Sequence, residues 1–277
     1  MENIPTMTKR PVCLVSVLVI IAIIAAVLPA CQSKDAGQTE LVVFAAASLT
    51  DAFTDLGETF EKQDPNITVS FNFGSSSALA IQLSEGAKAD VFASANPAQM
   101  DKAIQDGRIS EAPVTFATNR LVIITPVDNP AGIQAPVDLS QGGVKLVLAA
   151  PDVPARDYSE EMLGKLAADS TYGDGFKAAV LANLVSEETN VRQVVTKVSL
   201  GEADAGIVYS SDVTPDVSGT LFRIEVPDAL NVLASCPMAI VHDASNPEGA
   251  QSFIDFVLSQ GGQTILQKWG FGPAPIE

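Results

Sequence analysis

Four times along this chain a short apolar run of strand length stops at small or hydroxyl residues and gives way to apolar positions at helical spacing. The run 41–44 (LVVF) passes through three alanines to Ser48, after which Leu49, Phe53, Leu56 and Phe60 mark one helix face. Residues 67–73 alternate and break at Gly74, and Ser75, Ser76 and Ser77 then open a helix carrying Leu79 and Leu83. The run 144–150 ends at Pro151, and Val153, Pro154 and Ala155 lead into a helix marked by Met162, Leu163 and Leu166. Thr189, Asn190 and Val191 precede Val194, Val195 and Val198 as a fourth helix start. Strands alternating with helices in this way predict an α/β fold with mainly parallel sheets.

These junctions matter because the first turn of a helix leaves N–H donors without intrahelical acceptors and carries the positive end of the macrodipole. Such a terminus holds an anion without a cationic side chain. In open α/β sheets ligands sit at the carboxyl ends of the strands, where helix termini gather, so the four junctions predict one small-anion site. Ser48 has a plainer reading, since it stands where an N-cap of its own helix belongs.

Charge and compartment narrow the picture. Lys9 and Arg10 precede an apolar stretch over 12–28, followed by Pro29, Ala30 and Cys31, which is a signal-peptide plan for residues 1–30. The stretch is nearly the roughly 20 residues of a membrane span, so an uncleaved anchor is the rival reading. Leu28-Pro29-Ala30-Cys31 resembles the bacterial lipobox, whose cysteine is lipid-modified and becomes the first mature residue; Pro29 departs from the usual small or aliphatic residue there. Residues 31–39 then form a short polar tether. Loss of 1–30 takes Lys9, Arg10 and Glu2 from the 277-residue chain and moves its formal charge from −17 to −18. That field disfavours nucleic acid and anionic membrane surfaces. An anion must instead be held by short-range, preorganised hydrogen bonds, each worth roughly 1.5–3 kcal/mol when one partner is charged.

Of the three cysteines, Cys13 leaves with the signal and Cys31 takes lipid. Cys236, inside an apolar run, reads as a small buried hydrophobe. His242 is the single histidine and, beside Asp243, reads as solvated. A histidine-rich metal site or a Ser-His-Asp triad built without it is therefore not expected.

The segments FAAASLTDAF, FGSSSALAIQL, ADVFASANPAQMD and PDVPARDY, the triplet Asn190-Val191-Arg192, and Ala205-Gly206-Ile207-Val208-Tyr209 followed by Ser210, Ser211 and Asp212 together resemble the molybdate-binding proteins of bacterial ABC transporters. The likeness runs from about Glu40 to about Gly272. It implies a two-lobe type II periplasmic-binding-protein fold, each lobe a mixed, mainly parallel sheet flanked by helices, with a tetrahedral oxyanion in the cleft. It implies Ser48, Ser76, Ala155, Val191 and Tyr209 as the ligand-binding set, Ala155 and Val191 through backbone N–H groups. Molybdenum would be bound only as the oxyanion, with no cofactor and no catalytic residue. Where the family commonly has glycine after the alanine of the third junction this chain has Arg156, an accessory candidate that either reaches the ligand or covers the surface beside Asp157.

The expected organisation is lobe 1 over 40–118 plus 235–277 and lobe 2 over 119–234, the second lobe starting with a strand over 121–125 and the chain crossing back near 234–237. The implied partners are molybdate or tungstate, a permease with its ATPase subunits, and a membrane reached through lipid on Cys31, for an extracytoplasmic monomer. Another tetrahedral oxyanion such as sulfate or phosphate is the near alternative. An extracytoplasmic serine hydrolase is the distant one, and the chain has neither a G-x-S-x-G elbow nor a histidine placed as its base.

Overall fold

The computed structural model describes residues 38–274, so the expected signal segment and Cys31 lie outside the described residues. In chain order the elements are β1 (Thr39–Ala46), α1 (Thr50–Gln63), β2 (Ile67–Gly74), α2 (Ser76–Ser84), β3 (Val91–Ala93), α3 (Pro97–Gln105), β4 (Val114–Pro126), β5 (Leu146–Ala149), α4 (Pro154–Ala168), α5 (Phe176–Leu181), β6 (Leu184–Glu188), α6 (Val191–Ser199), β7 (Ala205–Tyr209), α7 (Pro215–Ser218), β8 (Leu221–Glu225), β9 (Leu233–Ile240), α8 (Pro247–Leu258) and α9 (Gln260–Lys268). Among the described residues no helix is long and apolar enough to cross a membrane.

The strands run in the order β2-β1-β3-β9-β4-β7-β5-β6, with β8 added on β4. In the first half β1 pairs in parallel with β2 and β3, and β3 meets β9 antiparallel. In the second half β5 pairs in parallel with β6 and β7, and β7 meets β4 antiparallel. Read inward from either edge, each half is therefore an outer strand, a central strand, an inner strand and one antiparallel strand. The parallel strands are joined through helices, as parallel pairing requires.

Two long strands connect the halves. The sequence pattern predicts a strand over 121–125, but β4 is one strand of 13 residues. Its first part pairs with β9 and its second part with β7 and β8. The polar pair Asn119-Arg120 interrupts the apolar pattern without ending the strand: Thr118 stands opposite Ser235 and Asn119 opposite Ala234 across the ladder. Ring packing fills the first half, where Phe53 meets Phe71, Phe116 and Phe253 edge-on at centroid distances of 6.2, 5.5 and 6.1 Å. In the second half α6 lies close on β7, because Gly206 has no side chain to hold it off: a Cβ there would stand 2.7 Å from Val194 Cγ1 and 3.1 Å from Val198 Cγ2.

Candidate functional site

The four junctions converge as the pattern predicts, two from each half. Each follows a central or an outer strand: Ser48 follows β1, Ser76 follows β2, Ala155 follows β5 and Val191 follows β6. With Tyr209 at the end of β7 they line a single cavity, together with Ala46, Ala47, Ser75, Ala95, Val153, Pro154 and Asn190. No charged side chain is in the lining. The space between its atoms, its open mouth included, is about 210 Å³.

The local chemistry of each junction frees a donor. Ser48 is not the N-cap that its position suggests. Ala47–Leu49 is a tight 3-10 turn with Ala46 at its cap, and α1 starts only at Thr50. The Ser48 hydroxyl, buried, makes no hydrogen bond to another described residue, so it is not occupied in capping. In α2 the cap is Ser75, whose Oγ accepts from the Ala78 N–H at 3.2 Å. Ser76 occupies the first helical position and its Oγ accepts from the Ala95 N–H at 3.0 Å. A hydroxyl that is accepting still has its own O–H to donate.

The second half uses a different device at α4. Val153 caps the helix without a side-chain bond, and Pro154 follows at the first position, where a missing N–H is harmless. The first free amide of this helix is therefore that of Ala155. Asp152, at φ +67°, takes the left-handed turn that brings the chain round into it. At α6, Asn190 caps through Oδ1, accepting from Gln193 N at 3.2 Å, which leaves Val191 as the first helical residue.

Tyr209 is buried, and its hydroxyl has no hydrogen-bond partner among the described residues. Burial pushes the phenol well above its ordinary value of 10, with Tyr158 adding to the effect, so it is a neutral donor at any physiological pH. A buried hydroxyl left unpaired costs roughly 1–3 kcal/mol, and Tyr209 lines the cavity, where a ligand oxygen would pair it. Tyr158 packs edge-on against it, with ring centroids 6.3 Å apart, and accepts from the Ser235 N–H of β9 at 3.4 Å. Burial pushes Tyr158 itself up to about 12.

Arg156 is outside the lining. Its Nε donates to Glu160 at 2.8 Å and its Nη1 to Glu187 at 2.6 Å and to the Ala149 carbonyl at 3.1 Å. It thus ties α4 to the strands beneath and faces neither the cavity nor Asp157. Asp157 instead accepts from Asn96 Nδ2 of the first half at 3.3 Å, and burial raises its carboxyl above the usual range. Cys236 is buried and burial pushes its thiol up to about 12, as a packed hydrophobe requires. His242 is exposed and its Nδ1 meets Ser110 Oγ. Among the described residues no three His, Cys, Asp or Glu side chains are grouped to hold a metal ion.

Sequence reasoning missed the polar contacts between the halves. Gln99 Nε2 donates to the Asp152 carbonyl at 3.1 Å, beside the Asn96–Asp157 bond. Elsewhere Arg192 pairs with Asp51. An Asn-Pro helix start at Asn96 was the available signal for the first pair; nothing local marks the second.

An α/β fold whose two halves set helix N-termini around one small uncharged cavity defines a solute-binding protein. The chain belongs to the bacterial extracellular solute-binding proteins, whose family model matches residues 41–272. It is 37% identical over 262 residues to the molybdate-binding protein ModA of Mycobacterium tuberculosis, covering 93% of this chain and 95% of that one. Two solved structures share the fold. The sulfate-binding protein SubI of M. tuberculosis has a TM-score of 0.77 at 16% identity, over 85% of this chain and 87% of that one. The periplasmic molybdate-binding protein of Azotobacter vinelandii has a TM-score of 0.72 at 20% identity, over 85% and 100%.

Proposed function

We propose that this chain is the extracytoplasmic substrate-binding component of an ABC importer, and that Ser48, Ser76, Tyr209 and the amides of Ala155 and Val191 bind molybdate and tungstate for delivery to a permease and its ATPase subunits. The observation that carries this reading is the unpartnered, buried hydroxyl of Tyr209, a residue lining a small cavity without charged side chains. An acidic protein cannot draw an anion in by long-range attraction, whereas desolvated neutral donors at short range hold one. Lipid on Cys31 would keep the protein at the membrane, and it would act as a monomer that turns over no substrate.

The same lining supports a choice among anions. It offers donors and no carboxylate acceptor, so an oxyanion that still carries a proton at neutral pH, as phosphate does, would find only hydroxyl oxygens to accept that proton, each at the loss of a donor to the anion. Molybdate, tungstate and sulfate are fully deprotonated there. Between them the 37% identity to a molybdate-binding protein favours molybdate.

Lobe 1 would comprise 40–118 and 235–277 and lobe 2 119–234. The two proposed crossings face each other on β4 and β9, which suits a hinge made of a two-stranded ribbon. A ligand that contacts both lobes has the differential affinity needed to select the closed state. A thermal-shift panel tests the assignment, because a ligand that binds only the native state raises the melting temperature. Molybdate and tungstate should each raise it by several degrees, sulfate less, and phosphate not at all. A phosphate shift equal to that of molybdate would overturn the reading.

A further inference from the structure

The Arg192 guanidinium joins two carboxylates that belong to opposite halves. Its Nη2 pairs with Asp51, in the first turn of α1 and three residues after Ser48. Its Nε stands 3.2 Å from Oδ1 of Asp212, whose side chain is fully buried behind β7 in Arg192's own half. Neither of these last two atoms makes a geometrically sound hydrogen bond, although both are buried, so what holds them together is charge. The other Asp212 oxygen accepts from the Tyr209 N–H at 3.0 Å. Arg192 follows Val191 directly in the first turn of α6.

A salt bridge at a protein surface is ordinarily weak, because two long side chains must be ordered and water screens them. Here the arginine is already ordered. The charge of a buried aspartate in its own half draws the guanidinium toward it, so reaching Asp51 costs less freedom than for an unanchored side chain. Arg192 and Asp51 are only 26% and 30% exposed, which limits screening without abolishing it. The other contacts between the halves, Asn96 to the Asp157 carboxylate and Gln99 to the Asp152 carbonyl, are not ion pairs and lack this combination of charge and anchoring.

We propose that Asp51–Arg192 is an electrostatic latch between the two halves, and that Arg192 is a positioning residue which, without touching the ligand, holds the Val191 amide and the Ser48 hydroxyl at the spacing one small anion can bridge. The pair forms only when the halves are together, so it slows opening and hence dissociation. It does not favour encounter, since the anion enters while the halves are apart. This rests on the cavity being the anion site.

The test is Asp51→Asn, a substitution of the same shape outside the cavity lining. Stopped-flow measurements with molybdate should give dissociation about three- to tenfold faster than wild type, with association not slowed. Raising salt should speed dissociation from wild type and leave the variant unaffected, whereas the melting temperature without anion should stay within about 1 °C. A merely structural role would lower that melting temperature and would not remove the salt effect. Dissociation from Asp51→Asn at the wild-type rate would overturn the latch. Failure of wild type to bind molybdate or tungstate would overturn the ligand assignment instead, and small-angle scattering then decides the latch. Asp51→Asn should have a larger radius of gyration than wild type without anion, and equal radii would overturn it.

Discussion

At the scale of single residues, the proposed site works through groups that are free because something else is occupied. Ser75 caps, so Ser76 does not; Asn190 caps, so the Val191 amide is left over. This separates donor from side chain and allows a clean test. Proline at the first position of a helix is well tolerated, and Asn190 already has the extended backbone (φ −157°, ψ 166°) that a residue before proline prefers. Val191→Pro should therefore keep the fold and delete one N–H donor. We expect molybdate affinity to fall about tenfold or more, near 1.4 kcal/mol, and Tyr209→Phe to match it through loss of its hydroxyl. Calorimetry giving wild-type affinity for both would remove these groups from the site. Ser48, Ser76, Ala155 and Val191 were legible because each sits at a strand-to-helix junction that short-range pattern reveals, whereas Tyr209 came only through the resemblance to a family. The Asp51–Arg192–Asp212 cluster was not, since Asp51 and Arg192 are 141 positions apart and neither stands in a motif of charges.

At the scale of elements, position is set by how closely helices lie on the sheet. The α6 start carries Val191, and α6 rests on β7 over the bare backbone of Gly206. Gly206→Ala would place a methyl 2.7 Å from Val194 Cγ1, and overpacking of this kind costs about 1–3 kcal/mol. For a domain of this size that lowers the melting temperature by about 2–4 °C per kcal/mol. Anion affinity should fall as well, because the helix start moves with the helix; a variant that melts early but binds as wild type would dissociate packing from site geometry. Elements that alternate or repeat cleanly were legible in the sequence, as with β1, β2, α1 and α6. The length of β4 was hidden by Asn119 and Arg120, which read as a break but are held in the ladder opposite Ala234 and Leu233. α9 was obscured by Gly261 and Gly262. Gly262 is required there, since a Cβ would lie 2.4 Å from the Phe256 carbonyl oxygen.

At the scale of the whole molecule, the balance of charge predicts an unusual pH profile. Burial raises the Asp212 carboxyl to about 6, against a lowering by Arg192, and burial raises Asp157 in the same sense. Between the unfolded value near 4 and about 6 the native protein binds more protons than the unfolded chain, so stability from Asp212 grows as pH falls through 6. Asp55, Glu160 and Asp243 act oppositely. Bonds from Lys268, Lys177 and Lys88 respectively hold them low, and the stability they bring is lost below about pH 4. Calorimetry of the anion-free protein should show a melting temperature that holds or rises from pH 7 to 5 and then drops. Asp212→Asn should flatten the first limb only. An unchanged limb in that variant would show that another group titrates there.

The matching strand order of the two halves also bears on the shape of what fits between them. Helix starts follow the central and the outer strand on each side, so in topology these four are arranged about a dyad, which Tyr209 at the end of one inner strand and Ala95 after the other break. A regular tetrahedron maps onto itself under a twofold rotation and offers equivalent oxygens to each side. An ester of the same anion does not: whichever way it enters, its alkyl arm meets a helix terminus suited to a bare oxygen. Selection by symmetry would thus add to selection by charge and size, without any residue dedicated to it.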